Sequence, residues 1–131
     1  MSAAANSNRT SHRIPNRGMM SEFVGAFDVA SKLTDEAYHV HFSHLWNGIA
    51  TRHSDTIDNK FFVDGRTVIV GLAHTGLIAL GAQTDRTISD REASFLAAEY
   101  LRERLEQADD RPLLDVSQEE VLRLAEKLGL R

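Results

Sequence analysis

The stretch YHVHFSHLW, residues 38–46, decides the fold, because it reads either as a strand or as a helix and disposes its three histidines differently in each. In a strand, alternate side chains share a face, so His39 and His41 point together while Val40 and Phe42 pack on the other side. H-x-H on a strand is a metal-ligand spacing, and Asn47-Gly48 would then suit a hairpin turn.

The helical reading starts upstream at LTDEAY, residues 33–38. Leu33 precedes Thr34 as N-cap, Asp35 and Glu36 occupy the first turn where the helix dipole favours acids, and Tyr38 receives the hydrophobic staple. Tyr38, Phe42, Leu45, Trp46 and Ile49 then fall on one face. On such a helix His39 and His41 lie about 160° apart and cannot share an ion. His41 and His44, at i and i+3, form half a metal site without a carboxylate to complete it, unlike H-E-x-x-H. The start signal matches those of two later segments, so a helix near 35–52 is the expectation.

Composition narrows the classes. A chain of 131 residues, 42% hydrophobic and 26% charged, fits one globular domain with a modest core. No apolar run approaches the roughly 18 residues of a transmembrane helix, and the N-terminus has no secretory h-region. The absence of cysteine removes disulfides, thiolate nucleophiles and Cys-based metal sites, and a cytoplasmic location is the default. Residues 1–21 carry Arg9, Arg13 and Arg17 and no acid, which leaves 12 basic against 19 acidic residues beyond them. An acidic domain repels phosphate backbones, so nucleic-acid binding is not expected. Residues 1–20, rich in Ser, Asn, Ala and Arg, read as a disordered basic tail ahead of one domain spanning 21–131.

Downstream, FFVDGRTVIVGL (61–72) is the clearest β signal: Asp64-Gly65 suits a type I′ turn between β-branched and aromatic flanks, giving a hairpin of about 60–63 with 66–72. AHTGLIALGA (73–82) reads as a third strand or as a short helix capped by Thr75, with the helix favoured. ISDREA (88–93) contains a capping box of Ser89 and Glu92, followed by a stripe of Ala93, Leu96, Ala97, Tyr100, Leu101 and Leu105. VSQEEV (116–121) repeats it, with Ser117 capping, Glu120 returning the bond, Glu119 pairing with Arg123, and Gly129 at the C-cap of a short helix over 118–128. ADDRPLLD (108–115) reads as a connecting loop. Phe95, off the stripe of its helix, suggests a second packing surface.

Other motifs lead to no chemistry. Gly71 and Gly76 have the spacing of a phosphate loop, but Leu77 and Ile78 stand where Lys and Ser/Thr belong. No G-x-S-x-G occurs. Asp64 is explained by its turn, and Ser89 and Ser117 by their caps. His74, at a strand end, is the best single candidate for a catalytic base.

The expected fold is therefore a small single α+β domain, an antiparallel β-hairpin packed against three to four amphipathic helices near 35–52, 90–107 and 118–128, with another near 22–31. Two strands alone are marginal in water, so helices or a second copy must cover them. The first functional expectation is a non-enzymatic interaction or regulatory module acting through protein–protein contacts, self-associating as a homodimer, with no cofactor. The alternative is a small metal- or histidine-dependent enzyme, in which His41 and His44 hold a metal and His74 is catalytic, supported by Asp35 or Asp58.

Overall fold

The computed structural model describes residues 23–131; the tail expected over 1–20 lies outside them. The elements are β1 (Ala26–Ala30), β2 (Ala37–Asn47), a one-turn helix α1 (Ile49–Arg52), β3 (Thr56–Val63), β4 (Arg66–Ala73), α2 (His74–Thr84), α3 (Asp90–Glu106), β5 (Leu113–Val116) and α4 (Gln118–Lys127). The chain is α+β as expected, but the hairpin is the middle of a larger mixed sheet. The strand order is β1-β2-β3-β4-β5, antiparallel except for the parallel β4–β5 pair.

The hairpin forms as its turn predicts. Asp64 and Gly65 take φ of +50° and +82°, and both strands run further than expected, back to Thr56 and on to Ala73. Ala73 ends β4 and α2 begins at once, so the segment is a helix as favoured, but Thr75 is not its cap: Ala73 stands at the N-cap with no side-chain hydrogen bond, and Thr75 lies within the first turn. A parallel neighbour needs a long crossover; α2 and α3 supply it before the chain returns as β5.

Residues 35–52 are not a helix. Tyr38 and Val40 are buried and His39 and His41 exposed, the alternation of a half-buried strand. The polar residues that resembled a helix start instead build the β1–β2 connection. Ser31 Oγ accepts from the N–H groups of Leu33 and Thr34, and Thr34 Oγ1 from Glu36 N–H two residues on. This is the competing local bonding that Ser and Thr offer a backbone. With β1 on one side and β3 on the other, β2 satisfies its backbone in ladders, and tertiary pairing overrides the local signal. The helix expected near 22–31 is likewise replaced by β1, whose Phe27 and Val29 are buried between exposed neighbours.

One face of the sheet, bearing Val29, Tyr38, Val40, Phe61, Val63, Val68, Val70, Leu72, Leu114 and Val116, is buried against Leu80, Leu96, Leu101, Leu105, Val121 and Leu124 of the helices. Phe95 is 2% exposed: α3 is buried on most of its circumference, so this ring belongs to the core and marks no second surface. β5 lies inside the segment expected to be a loop. Ser89 and Glu92 form the full capping box. Ser117 accepts from Glu120 N–H, but the Glu120 carboxylate turns to Arg123 instead of back to the cap, and Arg123 pairs with Glu103 and Glu120 rather than Glu119.

That arginine is part of an ion cluster between α3 and α4. Glu99, 3% exposed, pairs with Arg102 and with Lys127, whose Nζ lies 2.6 Å away; Glu103 pairs with Arg123 at 2.6 Å and Lys127 at 2.8 Å. Burial, the largest influence, raises the Glu103 pKa, yet hydrogen bonds and charge from Arg123 and Lys127 carry it down to about 2. A carboxyl held below its unfolded value of about 4.3 stabilises the fold fully above that pH and loses the contribution as pH falls toward about 2. Urea unfolding midpoints should therefore fall through this acid window, and Glu103→Gln should flatten part of the fall. An unchanged pH profile in the variant would show that α4 does not depend on this carboxylate.

Candidate functional site

Among the described residues, the second face of the sheet is covered only by α1, which folds over one end. Its side chains fall into rows set by the register. His41 stands opposite Phe62, and Phe62 opposite Thr67; His44, Lys60, Ile69 and Leu113 form the next row; Trp46, Asp58, Gly71 and Asp115 the one after. The register shift at Ser43, a bulge between Phe42 and His44, puts His44 and Trp46 on this face.

The face has three parts. At the β1 edge, His39 Nδ1 lies 2.5 Å from Asp28 Oδ1, and the hydrogen bond to Asp28, with its charge, raises the His39 pKa. The centre is aromatic and apolar. The His41 and Phe62 rings sit 5.1 Å apart, those of His44 and Trp46 5.0 Å apart, and Lys60 Nζ rests 5.0 Å above the Phe62 ring. Leu113, 43% exposed, borders this area on β5.

At the far end, Asp58 is a fully buried carboxylate on the side of the sheet turned away from the helices. Its Oδ2 accepts from Arg52 Nε at 2.8 Å; its Oδ1 accepts from Arg52 Nη2 at 2.8 Å and from Thr56 Oγ1 at 2.7 Å. Arg52 Nη2 also reaches Asp115 Oδ1 on β5 at 2.8 Å. These hydrogen bonds, Asp58 first, raise the Arg52 pKa, so the guanidinium stays charged. The cluster fits only because two neighbours lack side chains. A Cβ on Gly71 would lie 2.8 Å from Asp58 Oδ1 and 2.9 Å from Asp115 Oδ1, and one on Gly48 2.6 Å from Thr56 Oγ1.

His41 and His44 thus share the open face, each against an aromatic ring. His74 is elsewhere: it follows Ala73, which stands opposite Thr56, five residues past the His44–Lys60 row, or roughly 16 Å along the sheet at 3.3 Å per residue. The three are not brought together. Of the two supporting carboxylates suggested for them, Asp58 is engaged by Arg52, and Asp35 lies in the β1–β2 connection at the other end of β2. Among the described residues no group of three or more His, Cys, Asp or Glu is placed to hold a metal ion. His74 has a different partner, Asp55, with Nδ1 3.4 Å from Oδ1, and its backbone N–H donates to Asp55 O at 3.0 Å. It lines a cavity of about 350 Å³ between α2 and the start of α3.

The sequence reading named Asp58 only as a support for the histidines and missed Arg52, Thr56 and Asp115 as its partners. Two signals were available: Thr56 and Asp58 share a face at i and i+2 of a strand, and Gly71 interrupts an apolar strand, where a glycine marks close approach of another group. Comparison with known proteins gives no name to the site: no protein-family model, curated protein or solved structure matches the chain.

Gly71→Ala should expel Arg52 from the cluster and destabilise the domain by about 2 kcal/mol, the usual scale for overpacking combined with a broken buried pair. Urea unfolding checks this; a cost below about 0.5 kcal/mol, the range of neutral surface changes, would mean that the cluster is not tightly packed.

Proposed function

We propose that this chain is a small non-enzymatic interaction module that binds through the open face of its sheet, and that the partner is a second copy packed face to face as a homodimer. The observation that carries the reading is the central area of that face. Phe62, Ile69, Trp46 and Leu113 come from four adjacent strands, gathered around His44 and Lys60, and no element among the described residues covers them. A one-sided antiparallel sheet normally turns polar side chains to water, and an apolar and aromatic patch rimmed by polar groups marks an interaction site. The charges around it are mostly closed: Asp28 by His39, Asp58 by Arg52. The hydroxyl groups of Ser89 and Ser117 are used as helix caps. The acidic balance of the chain opposes nucleic acid as the partner, no described helix is long and apolar enough to cross a membrane, and we place the protein in the cytoplasm.

Sedimentation over a range of concentrations should give a monomer–dimer equilibrium. Leu113→Glu combined with Ile69→Glu should weaken the dimer tenfold or more, on the scale of about 1.4 kcal/mol or above expected for central interface residues. Leu33→Glu, at a 65% exposed position in the β1–β2 connection, should leave it unchanged. A monomer at every concentration, or a dimer indifferent to the double variant, would remove the homodimer.

A second reading rests on one observation, the Asp55-oriented imidazole of His74 at the cavity wall: a histidine-dependent enzyme with His74 as base. His74→Ala at unchanged melting temperature should then lower an activity by about 100-fold or more. Full activity in that variant excludes His74 as its base.

A further inference from the structure

The cavity between α2 and the start of α3 carries an inference independent of the sheet face. We infer that it binds a small amphiphilic amine, with the apolar body against the cavity wall and the ammonium group at its rim.

The wall is apolar: Ile57 of β3, Leu77 and Ile78 of α2, Ile88 before α3 and Ala93 in its first turns. Ile78 is 62% exposed, an apolar side chain left facing the opening. A volume of about 350 Å³ is at the small end of ligand sites and holds about ten groups at the roughly 30 Å³ of one water in the liquid. That is the size of a short alkyl or single-ring compound.

The polar groups of the lining decide the sign of the head group. Arg86, the only Lys or Arg among the described lining residues, is closed: Nη1 donates to Glu92 Oε1 at 2.7 Å and Nη2 lies 2.6 Å from Oε2. Ser89 is closed by the same carboxylate in the capping box. An anionic ligand would find its cation already taken. Among the described residues the Asp90 carboxylate and the Thr87 hydroxyl have no hydrogen-bond or ion-pair partner, and His74 at the other end turns Nδ1 toward Asp55. A carboxylate without a counter-ion beside exposed apolar surface selects a cation that brings its own apolar body; an ammonium at Asp90 makes a charge-assisted hydrogen bond that a hydroxyl cannot match. Asp90 belongs to the first turn of α3, where the helix dipole favours its charge without supplying a group that occupies its oxygens.

The test is an amide NMR titration of the full chain at pH 7 with three probes that share a phenylethyl body: 2-phenylethylamine, 2-phenylethanol and 3-phenylpropionate. The amine should shift the amides of residues 74–93 and bind about tenfold more tightly than the alcohol, the value of one charge-assisted hydrogen bond; the carboxylate should bind least. Asp90→Asn should remove the preference for the amine and leave the alcohol unchanged. Ile78→Ser should weaken both, at an exposed position where the fold tolerates the change. Equal binding of amine and alcohol, tighter binding of the carboxylate, no binding of any probe, or amine shifts outside 74–93 that ignore Asp90→Asn would each overturn the inference.

Discussion

A charge without solvent, on the wrong side of a sheet, organises much of this domain. Asp58 points away from the helical layer, toward the face that should be wet, and yet is fully buried. A buried carboxylate must be paired and hydrogen-bonded or it will not stay ionised. The pairing requirement explains features that otherwise look unrelated. It brings Arg52 over the sheet, where the chain between β2 and β3 makes the one-turn helix Ile49–Arg52 instead of the tight Asn47-Gly48 hairpin that the strand reading allowed. It requires glycine at 48 and 71, because side chains there would occupy the space of the ion pair. Through the second bond from Arg52 to Asp115, it also ties β5, a four-residue parallel edge strand, to a connection 63 residues earlier. The parallel edge is the shortest pairing in the sheet, and it carries an ionic clasp in addition to its ladder.

The helical side is held differently. There the main contribution is area: large side chains of β3 and β4 meet the leucines of α3 and α4, and burial of a Leu or Phe is worth about 2–3 kcal/mol each. The α3–α4 ion cluster sits at the margin of that core, and Glu99 is its most buried member. Arg102 and Lys127 answer Glu99 from its own helix and from the next, so the cluster fixes which face of α4 meets α3. The two faces of the sheet therefore follow opposite rules. One is specified by apolar volume with ions at its border; the other has an ion pair sealed at one end and apolar surface exposed at its centre.

This division also explains what could be read from the sequence. The Asp64-Gly65 turn, the Ser89 capping box and the stripes of α3 and α4 depend on neighbours within four residues, and all were legible. The β2 segment was not, because Leu33, Thr34, Asp35 and Glu36 satisfy the template of a helix start while using the same hydrogen-bonding groups in a turn. Only the partners on either side, β1 and β3, decide between them. β5 was hidden by its length, by Pro112 beside it and by its pairing with a strand more than 40 residues away. The Arg52–Asp58–Asp115 cluster was the hardest to see, since its members come from three segments and none has a motif; only Gly71 and the shared face of Thr56 and Asp58 hinted at it. The histidines were visible from the start, but whether they share a face depended on the β2 assignment.

The bulge at Ser43 is what makes the open face distinctive. Without it, the alternation that turns Tyr38, Val40 and Phe42 toward the core would send His44 and Trp46 there as well and leave Leu45 outside. One extra residue reverses the phase. Leu45 now stands opposite the buried Asn59, while His44 and Trp46 turn outward beside Lys60 and Asp58. An imidazole would otherwise have entered the buried layer opposite Asn59, between Phe61 and Val70, at the cost of taking another polar group out of water. The insertion thus serves the core and the exposed surface together: it keeps a polar side chain out of the apolar layer and adds an indole to the row that ends at Asp115. A change that restored simple alternation here would damage both faces of the sheet, which is why the phase of β2, more than the identity of any single histidine, sets the chemistry the domain presents.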